Sequence, residues 1–197
     1  KLNYDGTQEF GSSQIHSTIL NFGTLTIDKV NIVNNATKGY TSHAIFNYSW
    51  GGNAILTING GVISSVNKGY SVYSQAYDDF SNNKCEVYIN DGTLSDGLRY
   101  DNTGYHAANG ANVVIIGGVF ETNAENKPSL YIGGNGTTAV AISGGTFSEP
   151  VLEEYCAAGY IPQDNVDGTY GVKLGQYVAM VGDVKYESLQ DAVAAVS

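Results

Sequence analysis

Charge is scarce in this chain: 14% of its 197 residues are Asp, Glu, Lys or Arg, against roughly 25% in an average soluble domain. Basic residues are scarcest, 9 against 19 acidic ones, giving a net charge of −10. A nucleic acid or an acidic lipid surface would be repelled by such a chain, so nucleic-acid binding is set aside. Proline is rare, with 3 copies, and 2 cysteines do not make a disulfide framework. No apolar run approaches the roughly 18–20 residues that a membrane span needs, which excludes membrane insertion by a helix. Lys1–Phe22 is polar and rich in Gly and Ser, so no basic-then-apolar leader opens the chain. An exported protein would have lost that leader, or this is an internal piece of a longer, multi-module chain.

What is present is glycine, at 25 copies, an apolar content of 42%, and a repeat. Leu25–Val33, Leu56–Ser64, Val87–Ser95, Val113–Glu121 and Val140–Ser148 superimpose. Their inner columns read Leu25/Leu56/Val87/Val113/Val140, then Ile27/Ile58/Ile89/Ile115/Ile142, then Ile32/Ile63/Leu94/Phe120/Phe147. The central isoleucines are 31, 31, 26 and 27 residues apart. Self-similarity at that period marks a solenoid, whose units bury their apolar faces only against one another. Alternation such as Leu56-Thr57-Ile58 is that of a strand with one buried face. Gly60-Gly61, Gly117-Gly118 and Gly144-Gly145 then fill one slot, with Asp91-Gly92 in the third unit, and paired glycines allow a sharp turn. The first unit has Lys29-Val30 there and needs a different corner.

A second arm follows in each unit, expected at His43–Asn47, Ser71–Ser74, Tyr105–Ala108 and Leu130–Ile132, with Ile15–Ser17 as the same arm of a partial coil. Loops of variable length, such as Tyr77–Lys84 and Asp96–Asn102, separate the arms. The expected fold is therefore all-β: a parallel β-helix of about five coils with a small C-terminal α+β appendage. Right-handed winding is favoured because the coils are long and irregular. The division is a β-helix with an N-terminal partial coil over 1–148, a short helix and hairpin over 149–175, and a strand-turn-helix cap or start of a following module over 176–197. In the last part Ser188 is placed to cap a helix whose apolar stripe is Leu189, Ala192, Val193 and Val196. A Cys85–Cys156 bridge would require the post-repeat segment to fold back along the stack, and two independent thiols are expected instead.

The segment Ile142-Ser-Gly-Gly-Thr-Phe-Ser148, followed by Glu154-Tyr-Cys-Ala-Ala-Gly-Tyr160 and Asp167-Gly-Thr-Tyr-Gly-Val172, resembles a cassette of repetitive, adhesin-like cell-surface proteins of gut anaerobic bacteria. These have a right-handed parallel β-helix of the pectate-lyase-like group. The tail Val181-Gly-Asp-Val-Lys-Tyr-Glu-Ser-Leu-Gln-Asp-Ala-Val193 is similar to the segment that opens a further array in such proteins. The resemblance implies an extracellular or secreted, multi-module bacterial protein, and supplies neither a ligand nor a catalytic motif.

Three functional classes are weighed on the residues. A lyase-like enzyme on polyuronates would need carboxylates for calcium, and Asp78, Asp79, Asp91, Asp96 and Asp101 are the candidates, with Lys84 and Arg99 among them. Asp is also a common turn residue that bonds its own backbone, which is the plainer account. His16, His43 and His106 fall near the second arm without metal-ligand spacing. A carbohydrate-binding module would use loop aromatics, for which Tyr48, Trp50, Tyr77, Tyr100 and Tyr105 are the candidates among 15 Tyr and 1 Trp. The class the sequence favours is a non-catalytic surface module, for adhesion, ligand display or spacing, that meets a glycan or a surface protein of host or bacterium. Asp28, Asn59 and Asn90 share one slot and are expected to form a stabilising side-chain ladder.

Overall fold

The computed structural model describes residues 2–4, 15–36, 41–50, 52–66, 69–77, 83–103, 112–122 and 127–196. Parallel strands stack into a β-solenoid with an eleven-stranded and a five-stranded sheet. In the larger sheet, Thr24–Ile27, Ala54–Ser65, Cys85–Leu94, Asn112–Ile115 and Ala139–Ile142 form one ladder. The register sets Leu25 beside Leu56, Val87, Val113 and Val140, and Ile27 beside Ile58, Ile89, Ile115 and Ile142. Past the corner, Ile32, Ile63, Leu94, Phe120 and Phe147 continue as a third inner column. All three columns of the repeat therefore run up one hydrophobic core. Fully burying one such isoleucine is worth about 1.5–3 kcal/mol, so each rung is held by its neighbours and not by its own sequence alone.

The corner explains the glycine slot. Gly61 sits at φ +99°, and a Cβ there would lie 2.3 Å from the Val30 carbonyl oxygen of the preceding rung. Glycine is thus required both for the left-handed conformation and for the close approach of stacked backbones. The first unit turns the same corner with Lys29 at φ +56°, a left-handed conformation uncommon for a residue other than glycine.

The smaller sheet stacks Ile15–Asn21, Thr41–Tyr48, Val72–Ala76, Leu98–Asn102 and Leu130–Gly134 in parallel. Its inner column is Ile19, Ile45, Val72, Leu98 and Leu130. The third arm is thus Leu98–Asn102, a stretch expected as loop, and not Tyr105–Ala108, which lies outside the described residues. Gly97 at φ +70° turns the chain tightly enough for Leu98 to take its place above Val72 at once. Arg99 and Asp101 disguise that strand because they point outward.

After Ser148 the chain covers the last rung. The expected helix over Glu149–Gly159 is reduced to a 3-10 turn, Glu153–Tyr155. The rest is extended, because it must cross the end of the stack, bury Val151 and bring Cys156 alongside Ile142. Ala157 N–H donates to the Ile142 carbonyl at 2.8 Å. The hairpin of Tyr160–Asp164 and Tyr170–Leu174 then pairs antiparallel with the other ladder through Tyr170 and Phe147. Both cysteines are free thiols. The terminal unit has a two-stranded ribbon, Ala179–Val181 with Val184–Tyr186, and a helix, Leu189–Ala194. Ser188 Oγ caps that helix by accepting from Asp191 N–H at 3.2 Å. Of the expected apolar stripe only Ala192 is buried, and Leu189, Val193 and Val196 remain exposed.

Candidate functional site

The register of the smaller sheet aligns its outward residues as strictly as its inward ones. Leu20, Phe46, Tyr73, Arg99 and Tyr131 occupy one column across five rungs. Two residues further along each strand, Tyr48, Gln75 and Asp101 form the next column. Trp50 and Tyr77 lie just beyond the strand ends, tied together where Ser49 Oγ accepts from Tyr77 N–H at 2.9 Å.

The result is an outer face paved with rings. Around Tyr48 stand Phe46 at 4.9 Å between centroids, Tyr77 at 5.7 Å, Phe22 at 5.9 Å and Trp50 at 6.2 Å. Phe46 and Tyr73 stack 5.0 Å apart and nearly parallel, and both are buried by their neighbours. Phe22, Tyr77 and Tyr131 are exposed, and Trp50 is the most open of the rings at 57%. A contiguous exposed apolar area of this kind marks an interaction surface more than scattered apolar residues do.

Polar groups are set among the rings. The Arg99 guanidinium lies 5.4 Å from the Tyr73 ring centre and 4.9 Å from that of Tyr131. Its Nε and Nη2 both donate to Asp101 Oδ2 at 2.7 Å, and the Tyr73 hydroxyl donates to the same oxygen at 3.1 Å. Burial, then the Asp101 charge, pushes the Tyr73 phenol well above its ordinary range. Gln75 Nε2 donates to Thr103 Oγ1 at 3.1 Å. At the side of the face Lys127 packs over the Tyr70 ring, 4.5 Å from its centre, and donates to the Gly69 carbonyl. Burial holds its ammonium below the usual lysine range. His43 is buried against Tyr73 at 4.8 Å, with Nδ1 accepting from Tyr70 N–H at 2.9 Å. Burial, helped by Lys127 and Arg99, depresses its pKa to about 3, so it is a neutral packing group.

Of the aromatics expected at a site, Tyr48, Trp50 and Tyr77 come together here. Tyr100 does not belong: it aligns with Ser74 on the inward side, is fully buried, and its hydroxyl donates to the Cys85 carbonyl at 2.9 Å. A one-residue change of parity separates it from Arg99 and Asp101. Tyr105, Asp78, Asp79 and His106 lie outside the described residues. The remaining aspartates are dispersed. Asp91 is exposed at the corner of the larger sheet. Asp96 accepts from Ser65 N–H at 2.7 Å in the turn between sheets, and Asp101 is the partner of Arg99. No three His, Cys, Asp or Glu side chains gather into a metal-sized group among the described residues.

Of the expected Asp28/Asn59/Asn90 ladder, the Asn59–Asn90 link forms on the solvent side, where Asn90 Nδ2 donates to Asn59 Oδ1 at 2.7 Å. The buried ladder is Asn21 to Asn47 Oδ1 at 2.7 Å, Asn47 to Ser74 Oγ at 3.0 Å, and Ser74 Oγ to Cys85 Sγ at 3.2 Å. Burial pushes the Cys85 thiol up to about 11, so it serves packing, not nucleophilic chemistry. Near the capped end a cleft of about 200 Å³ lies between Leu130–Ile132 and Glu149–Tyr155. Its one carboxylate, Glu149, already accepts from Ser129 N–H at 2.8 Å.

Phe22, Phe46, Tyr73 and Tyr131 were not singled out from sequence, and Arg99 was noted only as a basic residue among the loop aspartates. The signal that finds them is the period-2 parity of the second arm once Ile45, Val72, Leu98 and Leu130 are aligned. No family model, no curated protein and no solved structure matches the chain.

Proposed function

We propose that this chain is a non-catalytic extracellular module of a larger bacterial surface protein, which makes contact through the outer face of its smaller sheet. The observation that carries the reading is the gathering of Phe22, Tyr48, Trp50 and Tyr77, drawn from successive rungs, into one exposed aromatic patch. A solenoid suits that task because its rungs fix side chains at regular steps on a stiff frame. Tyr and Trp add contact area with few rotatable bonds to freeze. The carboxylates support a non-catalytic role: Asp96 and Asp101 are engaged in holding the Ser65 backbone and Arg99. The low charge and the resemblance over Ile142–Val193 support export and display at a cell surface.

The test is binding of labelled module to intact bacterial and epithelial cells. Trp50→Ala and Tyr77→Ala are expected to reduce capture at unchanged thermal midpoint, with no product released from polyuronates. Capture by both variants equal to that of the unaltered module would show that this face is not the contact surface.

A further inference from the structure

The ligand chemistry can be narrowed, on the reading that this face is the contact surface. We propose that it binds a neutral oligosaccharide, laid across Phe22, Tyr48, Trp50 and Tyr77, with its hydroxyls read by Arg99 and the Gln75–Thr103 pair.

Four observations lead there. First, the backbone in the plane of this sheet is used by adjacent rungs, as where Ser49 N–H donates to the Gln75 carbonyl at 3.2 Å and Thr103 N–H to Ala76 at 3.0 Å. A partner cannot add a strand across this face and must be recognised by side chains. Second, the rings tilt about Tyr48 at 31° to Trp50, 47° to Phe22 and 64° to Tyr77. They form facets whose electron-rich faces suit the electropositive C–H edges of a pyranose. Their centroid steps of 5.7 to 6.2 Å are close to the length of one sugar residue.

Third, the polar groups on the face come as donor-acceptor pairs. A sugar hydroxyl both donates and accepts, so it can replace water on the partly exposed Arg99 guanidinium, which the buried Asp101 holds in place, or on Gln75 and Thr103. A dry protein interface would instead desolvate an ion pair and an amide at its centre, which is costly. Fourth, the charge of the described residues on this face disfavours an acidic saccharide. Arg99 is the only arginine in a chain of net charge −10, and Asp101 neutralises it. Lys127 is 11% exposed, under Tyr70 and near Asp96, so it offers no free cation to a carboxylate.

The single tryptophan makes the site its own reporter. Trp50 emission is followed while the 197-residue chain is titrated with neutral gluco-, manno-, galacto- and xylo-oligosaccharides, with polygalacturonate as the acidic comparator. At least one neutral series is expected to shift the emission saturably. Tyr77→Ala should weaken that binding at least about tenfold and Tyr77→Phe should retain it, both at unchanged thermal midpoint. Calorimetry replaces emission for Trp50→Ala, which should lose binding as well. Silence from every neutral series, or tighter binding of polygalacturonate, overturns the proposal. Protease-sensitive cell capture that Trp50→Ala abolishes, with every saccharide silent, identifies a protein partner: it overturns this inference and leaves the contact-face reading standing. Cell capture unchanged by Trp50→Ala overturns both.

Discussion

The stack of coils and the terminal unit beyond Gly175 use similar residues to opposite effect. In the stack, Ile58, Ile89 and Ile115 are fully buried. In the terminal unit Leu189, Val193 and Val196 lie open, although they have helical spacing and a capped start. The difference is the neighbour. An apolar residue in a coil meets its equivalent one rung above and one below, whereas a six-residue helix on a two-stranded ribbon has nothing comparable to lie against. Burial here is a property of repetition more than of local pattern.

Truncation breaks that comparison most sharply. Removing 149–197 uncovers the edges at Ile142 and Phe147 and is expected to give aggregation, because exposed parallel edges recruit other chains. Removing only 176–197 leaves Cys156 and Tyr170 on those edges. It should yield a monomer whose thermal midpoint moves by less than about 2 °C, a shift worth under about 1 kcal/mol in a chain of this size. Size-exclusion chromatography and calorimetry read both outcomes. Smaller than the first effect, Phe120→Ala is expected to cost about 3–5 kcal/mol by chemical denaturation, since its ring stacks on Phe147 at 4.7 Å inside the core. Leu189→Ala should stay within about 0.5 kcal/mol.

Acid sharpens the comparison further, because the stack holds the buried His43. In the unfolded chain His43 titrates near 6.5, and the fold keeps it neutral down to about 3. Between those values the unfolded chain binds more protons, so stability falls as pH falls, by on the order of 5 kcal/mol over the window. His43→Gln should flatten that slope in acid-dependent denaturation curves. An unaltered slope would mean that other groups carry it.

The inner columns were legible in sequence because Leu25/Leu56/Val87 and their equivalents recur with one turn chemistry, and sheet register follows from that pattern. The face was half legible. Trp50 and Tyr77 stand out as loop aromatics, but Arg99 and Tyr100 lie in a strand with one clear inner apolar residue, Leu98, so its parity was hidden. The buried Asn21–Asn47–Ser74 ladder was hidden for a related reason. Its polar residues occupy inward positions, which an apolar-periodicity reading passes over, whereas Asn59 and Asn90 stand just past the Ile58/Ile89 column and were legible as an outer pair.

Residues a coil apart in sequence stand side by side on adjacent rungs, and paired cysteines probe that arrangement. Thr57 and Tyr88 are register partners on the outside of the larger sheet. In a Cys156→Ser background, Thr57→Cys with Tyr88→Cys should form an intrachain disulfide under mild oxidation. Thr57→Cys with Asn90→Cys, two residues out of register, should not, because the Cα atoms lie beyond the reach of roughly 7 Å. Failure of the first pair to close, or equal closure of both, would contradict the stack and the face built on it.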